Sequence, residues 1–143
     1  MAGERLVIDA NYALESLLPT SESWRIESVE LIESIAAGET DVCVPWLFFA
    51  EVANVVTKKV RRRIIDTDSA ELFLARLDGL GLEVDMMLQP TLPLYEEAKR
   101  WQLSAYDAIY LDLARRMALP LATRDRGLAS AARHCGVELF RRV

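Results

Sequence analysis

Five short runs of aliphatic and β-branched residues punctuate the chain: RLVID (5–9), DVCVP (41–45), LEVDM (82–86), LPLAT (119–123) and VELF (137–140). Each is too short for a helix, and every stretch between them has helical character. The clearest is 21–38, with Trp24, Ile26, Val29, Ile32 and Ile35 or Ala36 forming an apolar stripe and Gly38 as its stop. Helices are likewise expected in NYALESLL (11–18), from Trp46 to Arg61, over 66–81, in LYEEAKRWQ (94–102) and AYDAIYLDLARRMA (105–118), and in GLASAARHC (127–135). Strands that alternate with helices predict an α/β fold with a mostly parallel sheet covered on both faces. In such a sheet, reactive side chains gather at the carboxyl ends of the strands, near the point where strand order reverses.

The 143 residues suit one domain, 1–143, and contain no repeat, low-complexity tract or linker-like stretch. A net charge of -5 argues against wholesale coating of nucleic acid, although a local basic patch can still act. MAGERLVID does not resemble a signal peptide, and VCVPWLFFAEVANVV is interrupted by Pro45 and Glu51 and too short to span a bilayer. No membrane association is expected. Cys43 and Cys135 suggest neither a disulfide framework nor zinc spacing, so a reduced, cytoplasmic setting follows. His134 and Cys135 are adjacent, but sequence neighbours seldom face one another, which disfavours a nucleophilic pair.

Asp9 ends the first strand and Asp125 follows the fourth. Each aspartate, taken alone, can be a helix cap: Asp9 precedes a helix, Ser104 and Asp107 have capping-box spacing, and Thr123 or Asp125 can cap the helix after the fourth strand. A cap contributes about 1 kcal/mol and requires no function. Glu51 is different. It is expected beyond the first turn of its helix and shares a face with Phe48, Val52 and Val55. Unless an Arg or Lys pairs with it, a buried carboxylate there is costly or neutralised. With Asp107 opening the helix into the fourth strand, all four acids can point into one cleft. Clustered carboxylates repel unless cations lie among them, and an oxygen-only set without His or Cys suits Mg²⁺ or Mn²⁺. The natural chemistry of that arrangement is phosphodiester hydrolysis.

VIDAN, FFAEVANVV, SAYDAIYLDLA and LATRD, in this order, resemble the PIN domain, and in particular the VapC-like toxins of prokaryotic toxin–antitoxin pairs. The resemblance spans essentially the whole chain. It implies a five-stranded parallel sheet in the order 3-2-1-4-5, a homodimer, an antitoxin protein as partner, and Mg²⁺- or Mn²⁺-dependent endoribonuclease activity on RNA. The family's acidic set falls on Asp9, Glu51, Asp107 and Asp125; in this chain Asp9, Asp107 and Asp125 are expected to hold the metal directly, with Glu51 as ligand or positioner of the attacking water. Asn11 stands where family members often carry Ser or Thr, and an amide can still orient Asp9 or a water. Thr123 occupies the family's hydroxyl position before the last aspartate, or serves as a turn residue.

Arg124 and Arg126 flank Asp125 and are candidates for holding a substrate phosphate, or for ion pairing. Asp112 lies roughly 140° around the helix from Asp107 and is expected at the surface or paired with Arg115 or Arg116. KKVRRR (58–63) reads either as a solvated helix end or as a sequence-blind contact to RNA phosphates. Trp24, Trp46, Phe48, Phe49 and Trp101 are core candidates. A receiver-like phosphoacceptor needs paired acids after the first strand and a lysine after the last, and an aspartate-nucleophile phosphatase needs Asp-x-Asp where this chain has Asn11. Both are disfavoured. The competing reading from another class is a catalytically silent module that binds RNA or a protein.

Overall fold

The computed structural model describes residues 3–140. In chain order the elements are β1 (Glu4–Ile8), α1 (Ala10–Leu14), α2 (Glu22–Ala36), β2 (Thr40–Pro45), α3 (Phe48–Arg61), α4 (Thr67–Asp78), β3 (Glu83–Asp85), α5 (Thr91–Trp101), α6 (Ala105–Met117), β4 (Leu121–Ala122) and α7 (Arg126–His134). The strands form one parallel sheet in the order β3-β2-β1-β4. β1 lies at its centre, and Leu6, Val7 and Ile8 are buried, as expected of a strand covered on both faces. Around them pack Phe48, Val52 and Val56 of α3 and Tyr110, Leu111 and Leu113 of α6.

The order agrees with expectation for four strands and differs at the fifth. The segment 137–140 meets β4 through a single parallel bridge, Leu121 to Leu139. Leu121 N–H donates to Glu138 O and Phe140 N–H to Leu121 O, both at 2.9 Å. The cause lies in its neighbour: β4 is two residues long and offers the edge one residue to pair with.

Local signals account for most boundaries. Ser21 caps α2 by accepting from Trp24 N–H at 3.4 Å. Asp66 caps α4 through Ser69 N–H at 2.8 Å. Gly38 takes a left-handed φ of 75° just after α2, where a side chain would be strained. α5 begins at Thr91, three residues before the expected Leu94, with Pro93 in the first turn where its missing N–H costs nothing. α3 begins at Phe48 rather than Trp46, which moves Glu51 from beyond the first turn into it.

Candidate active site

β1 and β4 lie side by side and deliver Asp9 and Thr123 to the same carboxyl edge, with Asp9 N–H donating to Ala122 O at 2.9 Å. Asp9 occupies the N-cap position of α1 by backbone, yet its side chain caps nothing. It is 3% exposed, and its Oδ2 accepts from the Thr123 hydroxyl at 2.9 Å. The same hydroxyl accepts from Asp125 N–H at 3.1 Å. The Thr123 hydroxyl thus joins the backbone of one acid to the carboxylate of another.

Burial pushes the Asp9 carboxyl up to about 7, against the Thr123 hydrogen bond and with added repulsion from Asp107 and Glu51. Capping accounts for little at Asp9, whose side chain makes no cap hydrogen bond of normal geometry and feels the Asn11 N–H less than its other neighbours. For the other two aspartates it holds only in part. Ser104 Oγ accepts from Asp107 N–H at 3.1 Å, which starts α6 and half-buries the Asp107 carboxyl. That carboxyl is raised by burial and by the charge of Asp125, with the Ser104 hydroxyl opposing. Asp125 does cap α7, its Oδ1 accepting from Leu128 N–H at 2.7 Å. A carboxylate has two oxygens, so the cap leaves one for other work.

Glu51 falls in the first turn of α3, where the helix dipole favours its charge. Even so, burial raises its pKa and Asp107 adds to the shift, while the Tyr110 hydroxyl opposes both. Neither its buried Oε1 nor the Tyr110 hydroxyl makes a hydrogen bond of normal geometry, although the two groups are near enough for Tyr110 to act on the Glu51 charge. Tyr110 is a member of the site that the sequence reading missed. Burial, then the charges of Glu51 and Asp9, push its ionisation far above the usual range. The available signal was its spacing, one turn beyond Asp107 on the same helix.

Four acids thus act on one another, Asp107 most widely, with Asp9, Glu51 and Asp125 all within electrostatic reach of it. No cation pairs with any of them among the described residues. Among the described residues, no three His, Cys, Asp or Glu side chains have already closed to metal-holding positions. The donor set, acceptor-only oxygens with a raised, buried Asp9 and an unsatisfied Glu51 Oε1, is one that a hard divalent cation would satisfy.

The other candidates separate. Asn11 is exposed, and its backbone N–H, not its amide, acts on Asp9. Arg126 is exposed at the start of α7, with no ion pair among the described residues. Arg124 turns away from the acids. Its Nε donates to Glu15 at 3.0 Å and its other arm to Glu27 at 2.5 Å, and the guanidinium lies over the rings of Tyr12 and Trp24 at 4.5 and 5.0 Å. Asp112 is where the helical arc placed it, paired with Arg116 at 2.7 Å and hydrogen-bonded by Gln89 at 2.9 Å.

A model of the PIN domain family matches residues 6–134. Ribonuclease VapC1 of Mycobacterium tuberculosis, in strains CDC 1551 / Oshkosh and ATCC 25618 / H37Rv, is 30% identical over 141 residues, covering 96% of this chain and 99% of the relative. Among solved structures, PAE2754 from Pyrobaculum aerophilum superposes with a TM-score of 0.66 at 25% identity, over 92% of this chain and 81% of that one. FitAcB from Neisseria gonorrhoeae gives 0.60 at 20% identity, over 95% and 96%, a likeness of fold.

Proposed function

The chain belongs to the PIN-domain family, and on that premise we propose that it is a Mg²⁺- or Mn²⁺-dependent endoribonuclease, the toxin of a toxin–antitoxin pair. The observation that carries the reading is an acid cluster with no ion-pair partner among the described residues: Asp9 buried with its pKa about 7, beside Glu51 and Asp107, both also raised by burial. A fold with only structural needs has no use for four like charges at one edge. The similarity to a ribonuclease along nearly the full length of both chains supports the same conclusion.

Asp9, Asp107 and Asp125 would hold the cation. A bound Mg²⁺ or Mn²⁺ would lower the pKa of an attacking water and screen the phosphate's charge. The protein's own part is orientation and proton handling. Thr123 fixes Asp9, Ser104 fixes the start of α6 under Asp107, and Leu128 N–H fixes Asp125, so three carboxylates arrive with little freedom left. Glu51, raised by burial, is a stronger base than a free carboxylate and would act on the attacking water as metal ligand or positioner. Tyr110 acts on the Glu51 carboxyl from α6. Arg126, which forms no ion pair among the described residues, would be the cation beside Asp125 for a substrate phosphate, whereas Arg124 is committed to Glu15 and Glu27. An antitoxin protein and a second copy of the chain complete the proposed assembly, with cytoplasmic location; no described helix is long and apolar enough to cross a membrane.

The test is total cellular RNA incubated with the purified chain, with and without Mn²⁺, followed by mapping of new 5′ ends. Discrete Mn²⁺-dependent cuts, reduced at least about a hundredfold by Asp9→Asn, are expected. Identical 5′ ends with parent and variant would sink the proposal in favour of a silent binding module.

A further inference from the structure

A tyrosine hydroxyl in a protein core needs a reason. Tyr110 is 0% exposed and lies in the same core as Phe48, an aromatic that brings no polar atom with it. Its hydroxyl is buried and makes no hydrogen bond of normal geometry. A polar group left in that state costs stability that a phenylalanine would avoid. Packing therefore accounts for the ring and leaves the oxygen unexplained.

What surrounds that oxygen belongs to the acid site. The Glu51 and Asp9 charges act on it, and so does the N–H of Ala10, the first residue of α1. The Ala10 N–H approaches as a donor, which leaves the hydroxyl proton to be given to a carboxylate. The acceptor within reach is Glu51 Oε1, itself buried and without a hydrogen bond of normal geometry. The other three acids already have anchors: Thr123 holds Asp9, Leu128 N–H holds Asp125, and the Ser104 hydroxyl acts on Asp107. Glu51 has the longest side chain of the four and the most rotamer freedom to lose. Its backbone is fixed, N–H to Leu47 O at 3.0 Å, but its carboxyl is not. The residue is half-buried and borders a surface groove, so its side chain runs from the core to the cleft.

Resting on the reading of these acids as a cation site, we propose that Tyr110 is the positioning residue for Glu51: its hydroxyl donates to Oε1 once the acids' mutual repulsion is neutralised, and so turns the second oxygen toward the cleft. In the chain alone Asp107 repels Glu51, and donor and acceptor stand close without aligning. With that repulsion screened the bond closes, and the most mobile of the four acids takes one orientation. The relay from Ala10 N–H through the Tyr110 hydroxyl to Glu51 also ties the residue after Asp9 to α3, which sets the spacing of two acids from different elements.

The experiment compares the parent, Tyr110→Phe, Glu51→Ala and the double variant. It reads thermal unfolding without metal, Mn²⁺ binding from the EPR signal of the free ion, and cleavage of an RNA carrying a site mapped for the parent. Tyr110→Phe should melt at or above the parent's temperature, because a buried hydroxyl without a well-made bond is gone. It should nevertheless lose roughly 10- to 100-fold in Mn²⁺ affinity, in kcat or in both, with KM held within about threefold, the scale of removing a group that orients a metal-site carboxylate. The double variant should fall no more than about twofold below Glu51→Ala in either readout, since the hydroxyl then has nothing to hold. Parental Mn²⁺ affinity and kcat in Tyr110→Phe, losses that simply add in the double variant, or a Tm more than about 5 °C below the parent's overturn the inference. If the parent cuts RNA in any of those cases, the ribonuclease reading stands without it. If Mn²⁺ binding shows the expected coupling and the parent cuts no RNA, the ribonuclease reading falls and the positioning role stands. A parent that neither binds Mn²⁺ nor cuts removes both.

Discussion

Arg124 and Asp125 are adjacent in sequence and enter opposite electrostatic neighbourhoods. Arg124 reaches a matched one: Glu15 and Glu27 accept from its two arms, and Tyr12 and Trp24 cover its faces. Asp125 joins a mismatched one, in which Asp9, Glu51 and Asp107 share no cation among the described residues and all three have pKa values raised by burial. Both are partly buried and both draw on several elements, so burial and convergence do not tell them apart. Charge balance does. A cluster that the fold uses for its own stability closes its books within the chain, whereas a cluster kept for a ligand is left open.

The comparison is open to attack from its strongest side first. Arg124→Ala should destabilise the protein by about 2–4 kcal/mol in urea unfolding, because it leaves the buried Glu15 without a counter-charge. A loss below about 0.5 kcal/mol would remove the claim that this cluster is structural.

Asp9→Asn should act in the opposite direction and depend on pH. The folded carboxyl is raised to about 7, well above its unfolded value, so ionising it costs stability as pH rises from about 4 through 7. The variant should coincide with the parent below about pH 4 and be about 4 kcal/mol more stable at pH 8. Millimolar Mg²⁺ or Mn²⁺ should raise the parent's Tm at pH 8 and leave the variant's nearly unmoved. A parent stability that is flat between pH 4 and 8 would show that the acids are not held against their own repulsion.

The smallest effect belongs to Arg116, which joins Asp85 at 2.6 Å and Asp112 at 2.7 Å nearer the surface. Arg116→Ala should cost no more than about 1 kcal/mol and leave RNA cleavage untouched. This cluster is balanced like that of Arg124 but more solvated, so it separates the effect of burial from that of pairing.

Much of this was legible in the residues. The alternation of apolar runs and helical stretches carried the element order, and Asp9 and Asp125 at strand ends carried the location of the site. Glu51 among Phe48, Val52 and Val55 marked a carboxylate that capping cannot explain. What escaped depended on partners distant in the chain. VELF has the composition of a strand, but the ladder it can form is limited by the two residues of β4. Tyr110 looks like any core aromatic until Asp9 and Glu51 are brought against it. Arg124 and Arg126 are equivalent neighbours of Asp125 in sequence, and only the approach of α1 and α2, bearing Glu15 and Glu27, takes one of them away.

The shortness of the sheet's margins has its own consequence. On one side β3 contributes Glu83–Asp85, with Arg5 on Glu83, Arg116 on Asp85 and Pro90 a few residues on. On the other, β4 is already occupied by the bridge at Leu139. Neither margin offers the long row of open amides and carbonyls that recruits strands from other molecules. Among the described residues, edge-to-edge strand addition, a common route by which sheets recruit other molecules into aggregates, has little to build on.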